Sequence, residues 1–210
     1  KWIRKVTSPK SSRIFLWNLE FYRKTGSWSQ IACSILNDLD CADVFHNLNV
    51  CDLQAADAKL RCNFTSNWNI ARYGKPKLRY YNMYKADLTP EDYIHLNTSK
   101  INRSIFAQFR GGILPLQVET GRFQNLPLEE RICRMCDQEQ VEDEFHFLCI
   151  CERYQENRRV LYRKANNAYP FFIELNSIDK FVYPMSNLQK CVIEFLVKAV
   201  SIRRASLYTS

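Results

Sequence analysis

Apolar residues recur three and four positions apart along most of this chain, a spacing that gathers them on one face of an α-helix. Trp28, Ile31, Ile35 and Leu39 keep this rhythm after Gly26, which predicts an amphipathic helix over 27–39. Leu53, Ala56, Leu60, Phe64 and Trp68 repeat it less regularly and predict a second helix over about 52–73. Lys75-Pro76 ends that helix, because proline disfavours helical geometry in the residue before it. The aromatic stretch 78–84 reads either as a strand or as the start of the next helix. Thr89-Pro90-Glu91 has the form of an N-cap followed by proline at the first helical position, predicting a helix through Leu96. Over 99–110, Ile101, Ile105, Phe106 and Phe109 mark one side of a helix that stops at Gly111-Gly112.

Leu114-Pro115-Leu116-Gln117-Val118-Glu119 looks extended and turn-like, and a loop containing Pro127 follows. Three more helices are predicted: over 151–165 with Tyr154, Val160 and Leu161 on its packing face, a short one over 173–181, and a long one over 188–204. In the last, Leu188, Cys191, Val192, Phe195, Leu196 and Ala199 stand at helical intervals. No sustained alternation of period two and no internal repeat is present. The pattern predicts a mainly α fold with few or no strands.

One segment asks for a metal. Cys133, Cys136, His146 and Cys151 are spaced C-x2-C-x9-H-x4-C, which suits one tetrahedral zinc ion. Two cysteines separated by two residues can turn both thiolates toward one point, and the later His and Cys share a face at a helix start. Cys149 is the alternative fourth ligand; Cys151 is preferred because H-x2-C gives a tighter bite. Four protein ligands leave no open position, so this zinc would be structural. The expected fold is thus a helical domain with an inserted CCHC-type zinc-binding loop-helix. Its parts are a helical segment over 1–76, basic helices plus the zinc segment over 77–165, and C-terminal helices over 166–210.

Only five Gly and seven Pro in 210 residues argue against disorder and against a turn-rich β-sandwich. No apolar run approaches the length of a membrane span. Nine cysteines, an odd number in metal-type spacing, favour a reducing, intracellular setting; Asn63, Asn97 and Asn102 are then unmodified sequons. Cys33, Cys41, Cys51, Cys62 and Cys191 read as core, and His46 and His95 stand alone. Lys1, with no initiating Met, marks the chain as a fragment or a processed piece.

The net charge of +8 is uneven. Residues 71–131 carry ten basic against six acidic side chains, 132–156 two against seven, and 157–210 nine against three. A polyanion would therefore be met by the flanks of the metal segment. Arg79, Lys100, Arg103, Arg110, Arg122 and Arg131 before it are the candidate nucleic-acid contacts, with Arg158, Arg159, Arg163 and Lys164 after it. Glu129-Glu130 and Glu142-Asp143-Glu144 read as solvated or capping groups.

Lys77-Leu78-Arg79-Tyr80-Tyr81, Asn102-Arg103-Ser104, Leu114 through Phe123, Glu130 through Cys136 and Val141 through Phe147 together resemble the zinc-binding segment downstream of the polymerase in non-LTR (LINE-type) retrotransposon reverse transcriptases. The resemblance is strongest over 77–154. Residues 1–70 are only loosely similar to the helical linker after the polymerase thumb. It implies a region that holds template RNA or target DNA, with Cys133, Cys136, His146 and Cys151 matching the family's zinc ligands. It also implies the upstream polymerase of the same polypeptide as a partner and a nuclear location.

No enzyme is expected in this chain itself. Polymerases need paired carboxylates for two divalent metals, and no Asp-Asp pair exists here. A phosphate loop, a nucleophile elbow and a Cys/His dyad are equally absent. Two classes remain. One is a nucleic-acid-binding accessory domain, with Tyr80, Tyr81 or Phe123 stacking on unpaired bases. The other is a zinc-stabilised structural or protein-interaction module. Neither involves a membrane or a small-molecule substrate.

Overall fold

The computed structural model describes residues 28–41 and 50–208, and these are mainly helical. The helices are α1 (Trp28–Asp38), α2 (Val50–Tyr73), α3 (Tyr81–Tyr84), α4 (Lys100–Arg110), α5 (Gln117–Phe123), α6 (Gln155–Ala168), α7 (Ser177–Asn187) and α8 (Gln189–Tyr208). Among the described residues extended pairing is limited to one antiparallel bridge, Ile132 with Val141. No helix there is long and apolar enough to cross a membrane.

Packing divides the chain into two compact units, one ending at Ile70 and one running from Ala71 to Ser210. In the first, Leu39, Cys41 and Ala56 form a small buried cluster, and Lys59 Nζ donates to the carbonyl of Leu39 at 3.0 Å. Cys41 is core as expected, whereas Cys62 is exposed. The side chain of Cys51 and all of His46 lie outside the described residues.

The second unit is built on α8. Val192, Ile193, Phe195, Leu196, Ala199 and Val200 make that helix apolar on more than one side, so it can be covered from several directions. It packs against α4, α6 and α7. Phe106 and Phe109 of α4, Tyr154 and Leu161 around α6, and Phe181 and Met185 of α7 close the same core. Each such side chain contributes on the order of 1.5–3 kcal/mol on burial. The C-terminal helices therefore share one core with the metal segment. Phe181 gathers rings from three elements, at 5.1 Å from Tyr80, 6.4 Å from Phe109 and 5.8 Å from Phe145.

Several local expectations change on folding. Residues 78–84 adopt a helical turn, α3, preceded by a 3₁₀ turn at Pro76–Leu78, and no strand. The expected helix from Thr89 shrinks to the 3₁₀ turn Asp92–Ile94. The Thr89 hydroxyl donates to Asp87 at 2.6 Å instead of capping, and Lys85 Nζ donates to the Thr89 carbonyl at 2.6 Å. The short helix at 173–181 becomes a 3₁₀ turn, Phe172–Glu174, followed by α7, whose N-cap Asn176 accepts from the Asp179 amide. Val160 points outward, leaving Tyr154 and Leu161 to pack.

The largest departure is α5, which occupies the stretch read as extended. Its N-cap, Leu116, has no side chain that could bond the orphan first-turn amides. Glu142 supplies both bonds: Oε2 accepts from the Gln117 amide at 2.8 Å and the carbonyl from the Val118 amide at 3.0 Å.

α4 begins and ends as the sequence predicts. The Ser99 side chain accepts from the Asn102 amide at 3.1 Å, and Gly112 turns the chain with φ of +63°. A Cβ at Gly112 would lie 2.1 Å from the Lys77 carbonyl oxygen, too close for any side chain without moving the backbone. Gly112→Ala is expected to destabilise the second unit by about 2–3 kcal/mol through strain and displacement together. Chemical denaturation of the variant beside the wild type measures this.

Candidate metal centre

A short hairpin and a π-helical turn bring the four residues to one point. The hairpin is closed by Cys133 N to the Gln140 carbonyl (2.8 Å) and Glu142 N to the Arg131 carbonyl (2.9 Å). These bonds fix Cys133 at the base, while the Met135 amide donates to the Cys133 sulfur at 3.4 Å and folds the chain so that Cys136 faces back. On the other side His146–Ile150 forms a π-helical turn, with the Cys151 amide donating to the His146 carbonyl at 2.8 Å. A bond spanning five residues stacks Cys151 beside His146, which an α-helical turn would not do.

Arg158 holds this unusual turn in place. Its Nε donates to the Leu148 carbonyl at 2.8 Å and another guanidinium nitrogen to that of Ile150 at 3.2 Å, with Cys151 the third acceptor. The orphan carbonyls at the end of the turn are thus satisfied by a residue on α6. Arg158 is buried and committed here, so it leaves the polyanion-facing set.

The resulting cluster of Cys133 Sγ, Cys136 Sγ, His146 Nε2 and Cys151 Sγ can hold one metal ion, all ligand atoms lying within 4.8 Å of one another. Cys133 and Cys151 sulfurs are 3.9 Å apart, and Cys136 Sγ is 3.4 Å from His146 Nε2. His146 Nδ1 lies 3.4 Å from Gln140 Oε1, which orients the ring with Nε2 toward the sulfurs, and Asp143 Oδ1 accepts from the His146 amide at 2.8 Å. The hydrogen bond with Cys151, with burial next, pushes the Cys133 thiol up to about 12. Ligation must displace such protons, so metal uptake weakens as pH falls.

Cys149, the alternative fourth ligand, stands outside the cluster. Burial pushes its thiol up to about 11, with Tyr162 alongside. Cys149→Ala is expected to retain the metal and Cys151→Ala to lose it, as metal content after gel filtration will show.

The acidic run beside the site is less solvated than its sequence suggests. Glu142 is fully buried: it caps α5, lies 3.7 Å from Cys133 Sγ, and pairs with the buried Arg203 guanidinium of α8. Burial raises its carboxyl pKa against the pull of Arg203. Glu144 is also buried and pairs with Arg79 at 3.2 Å. Asp143 does cap, through His146, and its Oδ2 accepts from the Tyr80 hydroxyl at 2.5 Å. Glu129 and Glu130 are exposed.

Five of the six candidate nucleic-acid contacts are tied to other groups of the chain. Arg110 is buried and paired with Glu91 at 2.6 Å, its guanidinium within 4.8–5.6 Å of the rings of Tyr81, Tyr84, Tyr93 and Phe106. That cation–π cage ties α4 to α3 and offers nothing to a phosphate. Arg131 donates to the Leu126 and Val118 carbonyls, and Arg103 to those of Leu96 and Thr98. Arg79 is held by Glu144, and Arg122 by Glu119 at 2.8 Å, with its guanidinium over Phe123. Only Lys100 is exposed with no ion pair among the described residues. Of the stacking candidates, Tyr80 and Tyr81 are spent on Asp143 and Glu91, while Phe123 is 73% exposed.

Sequence reasoning missed Arg203 and the structural roles of Arg158 and Glu142. Their partners lie 61, 7–10 and 25 positions away, so no local spacing marks them. Comparison with protein-family models, with curated proteins and with solved structures found no match to this chain.

Proposed function

We propose that this chain is a zinc-stabilised helical module that binds nucleic acid and accompanies a polymerase instead of being an enzyme itself. The convergence of three sulfurs and one imidazole nitrogen carries the reading. Zinc bonds of about 2.3 Å to sulfur and about 2.0 Å to nitrogen give a tetrahedron with edges of roughly 3.5–3.8 Å. Two of the six separations, 3.4 and 3.9 Å, lie close to that figure, and all six lie within 4.8 Å. Bound there, zinc would supply a cross-link between the hairpin and the π turn; with four protein ligands it would have no site for a reacting water.

The nucleic-acid part is supported by the net charge of +8 and by the resemblance of residues 77–154 to the reverse-transcriptase zinc segment. RNA or DNA and the upstream polymerase region are the partners this reading assigns, in the nucleus. The protein is expected to bind an oligonucleotide with an affinity that falls steeply with salt, each phosphate contact adding roughly 0.7–0.9 to the log–log slope. Filter binding across ionic strength measures it. No affinity at low salt would replace this reading with the protein-interaction module, which the exposed Phe123, Leu128 and Ile132 around the hairpin favour.

A further inference from the structure

If the arginines before the metal segment are committed to carbonyls, carboxylates and rings, a polyanion must find its cations elsewhere. Five exposed ones, Arg159, Arg163, Lys190, Lys198 and Arg204, lie on the C-terminal helices, where residues 157–210 carry nine basic and three acidic side chains. Two of the nine, Arg158 and Arg203, are buried, and Arg159 pairs with Glu156. The rest include a set that the fold lines up along one seam.

That seam is the shallow groove between α6 and α8. Asn157, Val160, Lys164, Cys191, Glu194 and Lys198 line it, over a floor that includes Leu161 and Phe195. The helices run antiparallel: Arg153, just before α6, donates to the Ser206 hydroxyl at 3.2 Å at one end, and Lys164 meets Glu194 at 2.5 Å toward the other. Lys190 directly precedes Cys191, which lines the groove at that end. Lys164 and Lys198 thus line the groove, Arg153 stands at one end of it and Lys190, beside the lining Cys191, at the other, with one facing carboxylate, Glu194. Lys190 and Lys198 are exposed and form no ion pair among the described residues. From Lys190 to Ser206, at about 1.5 Å per residue, the seam is about 24 Å long.

We propose that the α6–α8 seam is the nucleic-acid contact surface, with Arg153, Lys190 and Lys198 meeting phosphates of a single strand while Lys164 stays paired with Glu194. The proposal rests on the nucleic-acid reading above and corrects its location. Lysine suits this role: a point charge on a flexible stem follows an irregular strand without fixed geometry. A row of cations over tens of ångströms matches a linear polyanion better than a single anionic group. The metal centre contributes by fixing the seam, because Arg158 anchors the first turns of α6 to the π turn that carries Cys151.

The test compares two double variants in filter binding with a poly(dT) oligonucleotide at several salt concentrations. Lys190→Gln with Lys198→Gln is expected to weaken binding about tenfold at low salt and to lower the log–log slope by about 1.4, two contacts at about 0.7 each. Lys75→Gln with Lys100→Gln, exposed but away from the seam, is expected to change neither. Unaltered metal content and melting temperature of both proteins exclude misfolding as the cause. A wild type that binds, with the second pair flattening the slope and the first leaving it intact, overturns the seam and leaves the nucleic-acid reading standing. A wild type that binds no oligonucleotide overturns both. Phosphatidylserine vesicles that bind through Lys190 and Lys198 and displace the oligonucleotide would assign the seam to a lipid surface and overturn the proposal.

Discussion

Cys133→Ser or His146→Ala is expected to lower the melting temperature of the unit from Ala71 to Ser210 by about 10–15 °C, with far less effect on the residues up to Ile70. The size follows from what the site joins. Small zinc modules draw about 10–16 kcal/mol from the metal at neutral pH and are unfolded without it. Here Phe147, Leu148 and Tyr154 are buried in a core shared with α4, α6, α7 and α8, so part of the fold survives on apolar contacts alone. A net loss of about 4 kcal/mol, at roughly 2–4 °C per kcal/mol in a unit of this size, gives the stated shift. The damage should be local first. With one ligand gone, the hairpin and the π turn lose their cross-link, and protease sensitivity should rise over 131–158 before α8 frays. Calorimetry with and without a chelator, together with metal analysis, checks both points. A wild type that purifies with no metal and melts unchanged in chelator would end the zinc reading.

Arg203→Met should be the most damaging single change outside the ligands, about 3–5 kcal/mol near neutral pH, because it strands a buried carboxylate. Glu142 is 0% exposed, and in the native fold its charge is answered by Arg203 and the Gln117 amide. Losing Glu142's position would in turn uncap α5. The defect should depend on pH, with a definite sign. Burial already raises the Glu142 pKa above its unfolded value, and removal of Arg203, which lowers it, raises it further. A carboxyl that holds its proton more tightly folded than unfolded gains stability as pH falls through the folded pKa. The gap between Arg203→Met and wild type should therefore shrink from about pH 8 to about pH 5. A gap that widens with acid would mean that Glu142 is not the stranded group. Adding Glu142→Gln should recover part of the loss, since a neutral amide oxygen can still accept from the Gln117 amide while no longer needing a cation.

Both effects bear on the nucleic-acid reading. Of the six cations that charge alone nominates over 79–131, five are tied to groups of this chain. An arginine held by two carbonyls would have to break those bonds before it could reach a phosphate. Substituting Arg110 is thus expected to cost stability through the Tyr81, Tyr84, Tyr93 and Phe106 cage, so a fall in binding there would not by itself identify a contact. The exposed Lys190 and Lys198 of α8 are cleaner probes.

By itself the sequence determined what neighbours along the chain decide. α1, α2, α4, α6 and α8 follow from apolar residues three and four apart, and the start and stop of α4 from Ser99 and Gly112. The four residues of the cluster that could hold a metal were legible for the same reason: within nineteen positions, spacing alone limits which side chains can share one ion. The turn that makes H-x4-C work was not legible, because its carbonyls are satisfied by Arg158. Nor was α5, whose cap arrives from Glu142, or the true state of the acidic run 142–144, two of whose three carboxylates are buried against arginines. A helix period is a local property, with each residue's place set by those within a turn of it. A charge is different: Arg110 and Lys100 stand on the same helix with the same sign, and only tertiary packing put one in a cage of rings and left the other in water.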